Sequence, residues 1–413
     1  MSRNWLVRPA AALWGFVVFM PVGVNYGAFA LLLLALVVSG GWRERAHRVR
    51  HHALWWPVLA YVVWTLLVLA FGTHYPQTSS NIVHGLRIAA TVLMALALSR
   101  EEAVWALRGF LAMSVAGLAM IALYYSVGFP MTEAFRGLLV LVGNKSISNA
   151  LLLTIFGATA AVLGLALLTG HRPWRALIAF GFTVAVVAVI TLTLLSRTSL
   201  LALLLAIGLA CVHQWRRQLR ALVVAMVLGA AVVGVAVWQS PSVQRKFELG
   251  VQELEAAQAG AVSEGSWVVR YYMYRDTARM IIDKPLTGWG IGGWTEQWHL
   301  RGPKLLADYN MPHNDFLWMG AQAGLPGALS LLAIILVGLW QAWRRDDLTG
   351  RFALMAMFVL LVATSANSAL RDAQIGLSLL WVAMIYLRMV QEPGEPWREL
   401  WPRRSAALDQ VAP

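Results

Sequence analysis

The chain has 413 residues, of which 59% are hydrophobic and 13% charged, against about 25% charged in soluble domains, so a soluble globular protein is excluded. Its mean hydropathy of +0.64 and recurrent apolar runs near the ~20 residues needed to cross hydrocarbon predict an all-α polytopic membrane protein. The net charge of +13 does not indicate a nucleic-acid partner, because Lys and Arg cluster in short segments beside apolar runs, where they set topology.

In chain order the apolar runs predict twelve transmembrane helices, near 9–22, 27–41, 53–72, 86–99, 103–128, 147–169, 174–194, 198–213, 220–238, 314–340, 352–367 and 375–391. Met1 to Arg8 is a short basic lead into a retained first span. With the N-terminus in the cytoplasm, Arg43 to Arg50, Arg216 to Arg220, Arg344 to Arg351 and similar short basic segments all fall inside. They hold 20 of the 33 basic residues. Both termini are then cytoplasmic and one long polar loop is outside. The expected organisation is 1–238 with nine helices, 239–312 as an outer loop subdomain, 313–392 with three helices, and 393–413 as a cytoplasmic tail. Cys211 is the single cysteine, so no internal disulfide forms.

Within the loop, Phe247, Val251 and Leu254 recur at helical spacing from Ser242 to Ala261, which predicts an amphipathic helix at the membrane interface. Residues 259–265 form a break. Ser266 is expected to cap a second helix through about Asp283. Pro285 and the glycines between Gly288 and Gly293 end it in turns.

Three places carry candidate chemistry. His313 follows Pro312 and opens the tenth helix. A neutral imidazole there can take a proton from a hydroxyl nucleophile; the plain alternative is an interfacial histidine without chemistry. Arg197 lies in a turn of a few residues between two apolar runs, on the outer face, where topology does not call for it. A guanidinium suits bidentate phosphate binding, with a lipid headgroup contact as the alternative. On the second loop helix Arg270, Tyr274 and Thr277 share a face, whereas Arg279 lies about half a turn away from Arg270 and pairs with Arg275. The helix alone does not choose between Arg270 and that pair. The loop carboxylates form no His/Asp/Glu cluster with metal spacing, which favours metal-free chemistry with no cofactor.

Taken together, Ser196-Arg197, Arg270 followed by Ile282 to Gly290, and His313-Asn314-Asp315-Phe316-Leu317 with Gly320, Gly324 and Gly327 resemble the O-antigen ligase family, the group of O-antigen ligases, polymerases and related bacterial oligosaccharyltransferases. The resemblance covers roughly 180–340. Tyr274 departs from it, standing where many relatives carry Trp. The resemblance implies a metal-independent inverting glycosyltransferase of lipopolysaccharide biosynthesis. Its donor would be a glycan on undecaprenyl pyrophosphate and its acceptor a sugar hydroxyl of lipid A–core. The reaction would run at the periplasmic face of the inner membrane, among membrane lipids. It also implies that Arg197 and Arg270 bind the pyrophosphate and that His313 is the general base, with Asn314, Tyr274, Arg275 and Arg279 as further site residues. A polymerase of the same family would take a second lipid-linked repeat as acceptor. A lipid or solute transporter, the reading from another class, would place charged residues inside its spans, and Arg108 and Asn149 lie only near span ends.

Overall fold

The computed structural model describes residues 3–127, 145–218 and 241–400, together with positions 220, 223, 224 and 227. Every regular element among them is helical. The first part holds α1 (Val7–Val17), α2 (Val22–Ser39), α3 (Trp42–Arg50), α4 (Trp55–Phe71), α5 (Thr78–Ala97) and α6 (Arg100–Val127). Then come α7 (Lys145–Thr169), α8 (Pro173–Val189) and α9 (Arg197–Trp215). The loop region holds α10 (Pro241–Gln258), α11 (Ser266–Asp283) and α12 (Gly293–Arg301), and the chain closes with α13 (Asp315–Trp343), α14 (Leu348–Ala366) and α15 (Ala373–Val390).

Nine helices among the described residues are long and apolar enough to cross a membrane, or ten if α3 and α4, bent by 92° at their break, count as one span. The chain is thus a multi-pass membrane protein. Ten of the twelve expected spans have a counterpart. The first does not: α1 has 11 residues, roughly 16 Å at 1.5 Å per residue, about half a hydrocarbon core. The ninth, near 220–238, lies outside the described residues except for positions 220, 223, 224 and 227.

The core of the bundle is α15, buried on nearly every side, as a helix apolar all round must be. It packs against α2, α5, α6, α7, α13 and α14, and Trp381 stacks on Trp14 with ring centroids 4.0 Å apart. At one end, buried Arg45 donates two 2.8 Å hydrogen bonds to the Glu102 carboxylate, pinning α3 against α6. A bidentate pair is the geometry in which a buried ion pair best offsets its desolvation.

The loop region follows its sequence closely. Helix α11 ends at Asp283, as its spacing predicts. Its start is capped differently: Gly265 takes the cap position without a side-chain bond, and Glu253 of α10 accepts the N–H of Trp267 at 3.1 Å. Ser266 begins the helix, and its hydroxyl accepts from Arg270.

Helix α13 is broken where its apolar run predicts one continuous span. Ala323 leaves helical geometry, Gly324 takes φ 67°, and Pro326 follows with no N–H to offer. The freed backbone groups are met by the turn after α11. Leu325 N–H donates to the Pro285 carbonyl at 2.7 Å, and the N–H groups of Trp289 and Gly290 donate to the carbonyls of Ala321 and Gln322 at 2.8 and 3.0 Å. The Trp64 indole N–H of α4 donates to the Ala323 carbonyl at 2.6 Å. A broken helix is tolerated near a bilayer only when protein satisfies it in this way. Gly288, at φ 63°, lies where a Cβ would meet the Gln322 backbone at 2.5 Å.

Candidate functional site

The site is built on the first turn of α13. Asn314 caps that helix: its Oδ1 accepts the N–H groups of Phe316 and Leu317 at 2.9 and 3.0 Å. Its Nδ2 donates to the Ser365 carbonyl at the end of α14, at 2.9 Å. Asn314 is therefore a positioning group here. His313, just before the cap, sits at φ 53°, a left-handed conformation uncommon for a residue with a side chain and frequent at functional sites. Tyr274 of α11 places its hydroxyl 3.2 Å from both the His313 and Ser365 carbonyls.

The His313 side chain itself makes no hydrogen bond among the described residues; its nearest ring is Tyr309, edge-on at 6.2 Å. Burial, and then the positive charge of Arg270, push its pKa down to about 4. The imidazole is therefore neutral at pH 7, with lone pair available.

The structure separates the three loop arginines that helical spacing left open. Arg275 is bound bidentately to buried Asp276, at 2.7 and 3.0 Å, and lies over the Tyr272 ring at 4.6 Å. Arg279 reaches the same carboxylate at 3.5 Å. Both are engaged inside the loop. Half-buried Arg270 bonds only to the Ser266 carbonyl and hydroxyl among the described residues, and its charge reaches His313 and Tyr274. Thr277, on the same face, accepts from the Trp294 indole at 2.8 Å and faces inward.

Arg197 opens α9 after a break. A π-helical turn over Ile190–Leu194 ends α8, Leu195 turns left-handed at φ 51°, and Ser196 caps α9 by accepting from the Ser199 N–H. Arg197 is exposed and forms no hydrogen bond or ion pair among the described residues, and no contact there joins it to Arg270 or His313. The bundle still places it at their end. The far end of α9 is tied to the α13–α14 junction, where His213 Nε2 lies 2.9 Å from the Trp343 carbonyl and Arg217 pairs with Asp346 at 3.0 Å. Helix α9 packs on α14, so it runs antiparallel to it. Arg197 therefore comes level with Ser365, which holds the His313 segment.

One residue of this region was not singled out from the sequence. Arg87 is only 4% exposed and lies well inside α5. It donates to the carbonyls of Leu370, Arg371 and Asp372 at 2.6, 3.2 and 3.1 Å. From the other side Asp315, fully buried, accepts the N–H groups of Leu370 and Arg371 at 2.8 and 3.1 Å. The segment between α14 and α15 is clamped between the Arg87 guanidinium and the Asp315 carboxyl. Arg87 adds a charge well inside a span to the few expected from the sequence, and a charged residue in an apolar run is itself the signal that marks such a site.

The described residues of this polytopic helical membrane protein thus place a neutral histidine and two under-occupied arginines toward one end of its bundle. Residues 182–332 match the family model described as O-antigen ligase. That stretch contains Arg197, Arg270 and His313, and its match supports an O-antigen ligase or polymerase family domain of lipopolysaccharide biosynthesis in this part of the chain. No curated protein matches the chain.

Proposed function

We propose that the chain is the ligase member of this family, a metal-independent inverting glycosyltransferase. It would act at the periplasmic face of the inner membrane, with both termini cytoplasmic and residues 239–312 outside. The donor is a glycan on undecaprenyl pyrophosphate and the acceptor a sugar hydroxyl of lipid A–core. The acceptor oxygen attacks the anomeric carbon and the bond to the pyrophosphate oxygen breaks. Undecaprenyl pyrophosphate leaves with the electron pair, and the hydroxyl proton passes to His313. Arg270 and Arg197 neutralise the leaving group, which preorganised cations do best at a site partly screened from water.

The observation that carries this reading is the neutral, hydrogen-bond-free imidazole of His313 beside Arg270. A base with pKa about 4 is weak on its own. A pyrophosphate bound at Arg270 would offset the smaller, electrostatic part of that depression, burial being the larger, so proton abstraction would be coupled to donor occupancy.

The test uses cells lacking ligase activity, supplied with wild type, His313→Ala or Arg197→Ala at equal expression. Restored long-chain lipopolysaccharide with wild type, lost with both variants, is the expected result. Uncapped core together with longer lipid-linked glycan would make the chain a polymerase. No change in either would return the transporter reading to the front.

A further inference from the structure

Arg371 lies outside the stretch matched by the family model and outside the machinery proposed above, yet it stands next to it. Its backbone is held from two sides by Asp315 and Arg87, so its position is fixed. Its guanidinium is not used. The one acceptor it reaches among the described residues is Asn310 Oδ1, a neutral group at 3.3 Å. Its buried Nε has no partner, and it forms no ion pair among the described residues. The carboxylates near it are occupied: Asp315 by the two N–H groups of the clamp, and Asp372 as the cap of α15, accepting from Ile375 N–H at 2.9 Å. A half-buried guanidinium with five donors and one weak neutral acceptor is costly unless an anion completes it.

The neighbourhood carries both signs: Asp372 and Asp315 favour the Arg371 charge and Arg87 opposes it, but neither carboxylate bonds the guanidinium. Arg87 donates to His84 Nδ1 at 3.0 Å, and the charge of Arg371 reaches the same histidine. Arg270, not Arg371, is the cation felt at the His313 imidazole. Two separate cationic places thus border the His313 segment: one on α11, the other on the α14–α15 segment, with Asn310 and His313 three residues apart between them.

We propose that Arg371, backed by Arg87 and flanked by His84, is a second anion-binding site, which takes a phosphate or carboxylate group carried by the acceptor saccharide. This rests on the ligase reading, in which the pyrophosphate occupies the Arg270 side and leaves the second site to the other substrate. A fixed anion contact on the acceptor orients its hydroxyl toward His313 and selects acceptors with a charge at the right distance from that hydroxyl.

The experiment is steady-state transfer by purified full-length protein, with rough-type lipopolysaccharide as acceptor. Wild type, Arg371→Gln and Arg371→Lys are compared. Because the clamp grips only the Arg371 backbone, Arg371→Gln keeps the fold. The expected result is an acceptor KM raised about tenfold or more in Arg371→Gln, the size of a lost charged hydrogen-bond pair, with partial recovery in Arg371→Lys. Donor KM should stay within about twofold. Phosphatase-treated and carboxyl-amidated acceptors separate the two anions: the one that matters raises the wild-type KM and leaves Arg371→Gln indifferent. A fall in kcat at unchanged acceptor KM, or an equal penalty on every acceptor, overturns the proposal. Full transfer by His313→Ala would remove the base assignment instead and leave this comparison standing.

Discussion

Tyr274 and His313 are joined through a backbone oxygen rather than through their rings: the phenol hydroxyl lies 3.2 Å from the His313 carbonyl and 3.2 Å from that of Ser365. The tyrosine therefore holds the left-handed turn that aims the imidazole. Removing the hydroxyl costs about 1 kcal/mol. Tyr274→Phe should lower kcat roughly three- to tenfold and leave donor KM unchanged. A large rise in donor KM would place Tyr274 in contact with the substrate.

The depressed pKa of His313 fixes the pH behaviour. Above its ordinary value of 6.5 the histidine is neutral folded or unfolded and contributes no difference. Between 6.5 and about 4 the unfolded chain takes up a proton that the folded one refuses, so stability falls as pH falls through that window. The acidic limb of kcat/KM, which reports the free enzyme, should lie near 4 instead of 6.5. Arg270→Gln should shift that limb upward, since it removes the repelling charge. An acidic limb that stays at 6.5 in both proteins would show that His313 is not the titrating base.

Arg270 and Arg275 are five residues apart on one helix but should fail differently. Arg275→Gln leaves buried Asp276 with only Arg279 at 3.5 Å, and breaking a buried pair costs about 3 kcal/mol or more. Its Tm in detergent should drop by several degrees. Arg270→Gln, like Arg197→Gln, breaks no ion pair; Tm should move little, while donor KM rises or transfer is lost. Equal Tm losses in all three would make them structural residues alike.

Gly324→Ala tests the break in α13. Gly324 has φ 67°, and a Cβ there would run into the Leu286 carbonyl. The strain of about 1–3 kcal/mol adds to that clash. The variant should release the turn after Asp283, read as faster proteolysis between α11 and α12, with activity lost in proportion. An alanine variant that resists protease like wild type would mean that the break does not depend on glycine.

Much of this arrangement is legible in the sequence. The apolar runs give ten of the spans, and the polar stretch between them gives α11 to its last residue, because capping and turn residues act locally. His313 at the head of a helix and Arg197 between two helices are local facts as well. What was missed depends on distant contacts. Arg87 falls at the start of the span expected near 86–99, whereas α5 begins at Thr78, and polar residues in its first two turns hid the helix. The clamp of Arg87 and Asp315 closes over more than 200 positions of sequence, and no spacing rule sees it. The break at Ala323–Gly324 has local signs in Gly324 and Pro326, but the apolar run continues through it and the groups that satisfy it belong to the turn after α11.

That break also sets a height. Below it, Leu325 and Leu329 are exposed, as lipid-facing residues are. At its level Ile282, in the last turn of α11, and Leu286, in the turn that fills the break, are exposed at 74% and 67%. Above it, Asp315 to Gln322 form a rigid helical post of about 12 Å at 1.5 Å per residue, with His313 at the top. The post acts as a ruler: it sets the distance along the helix axis between the break and the His313 backbone.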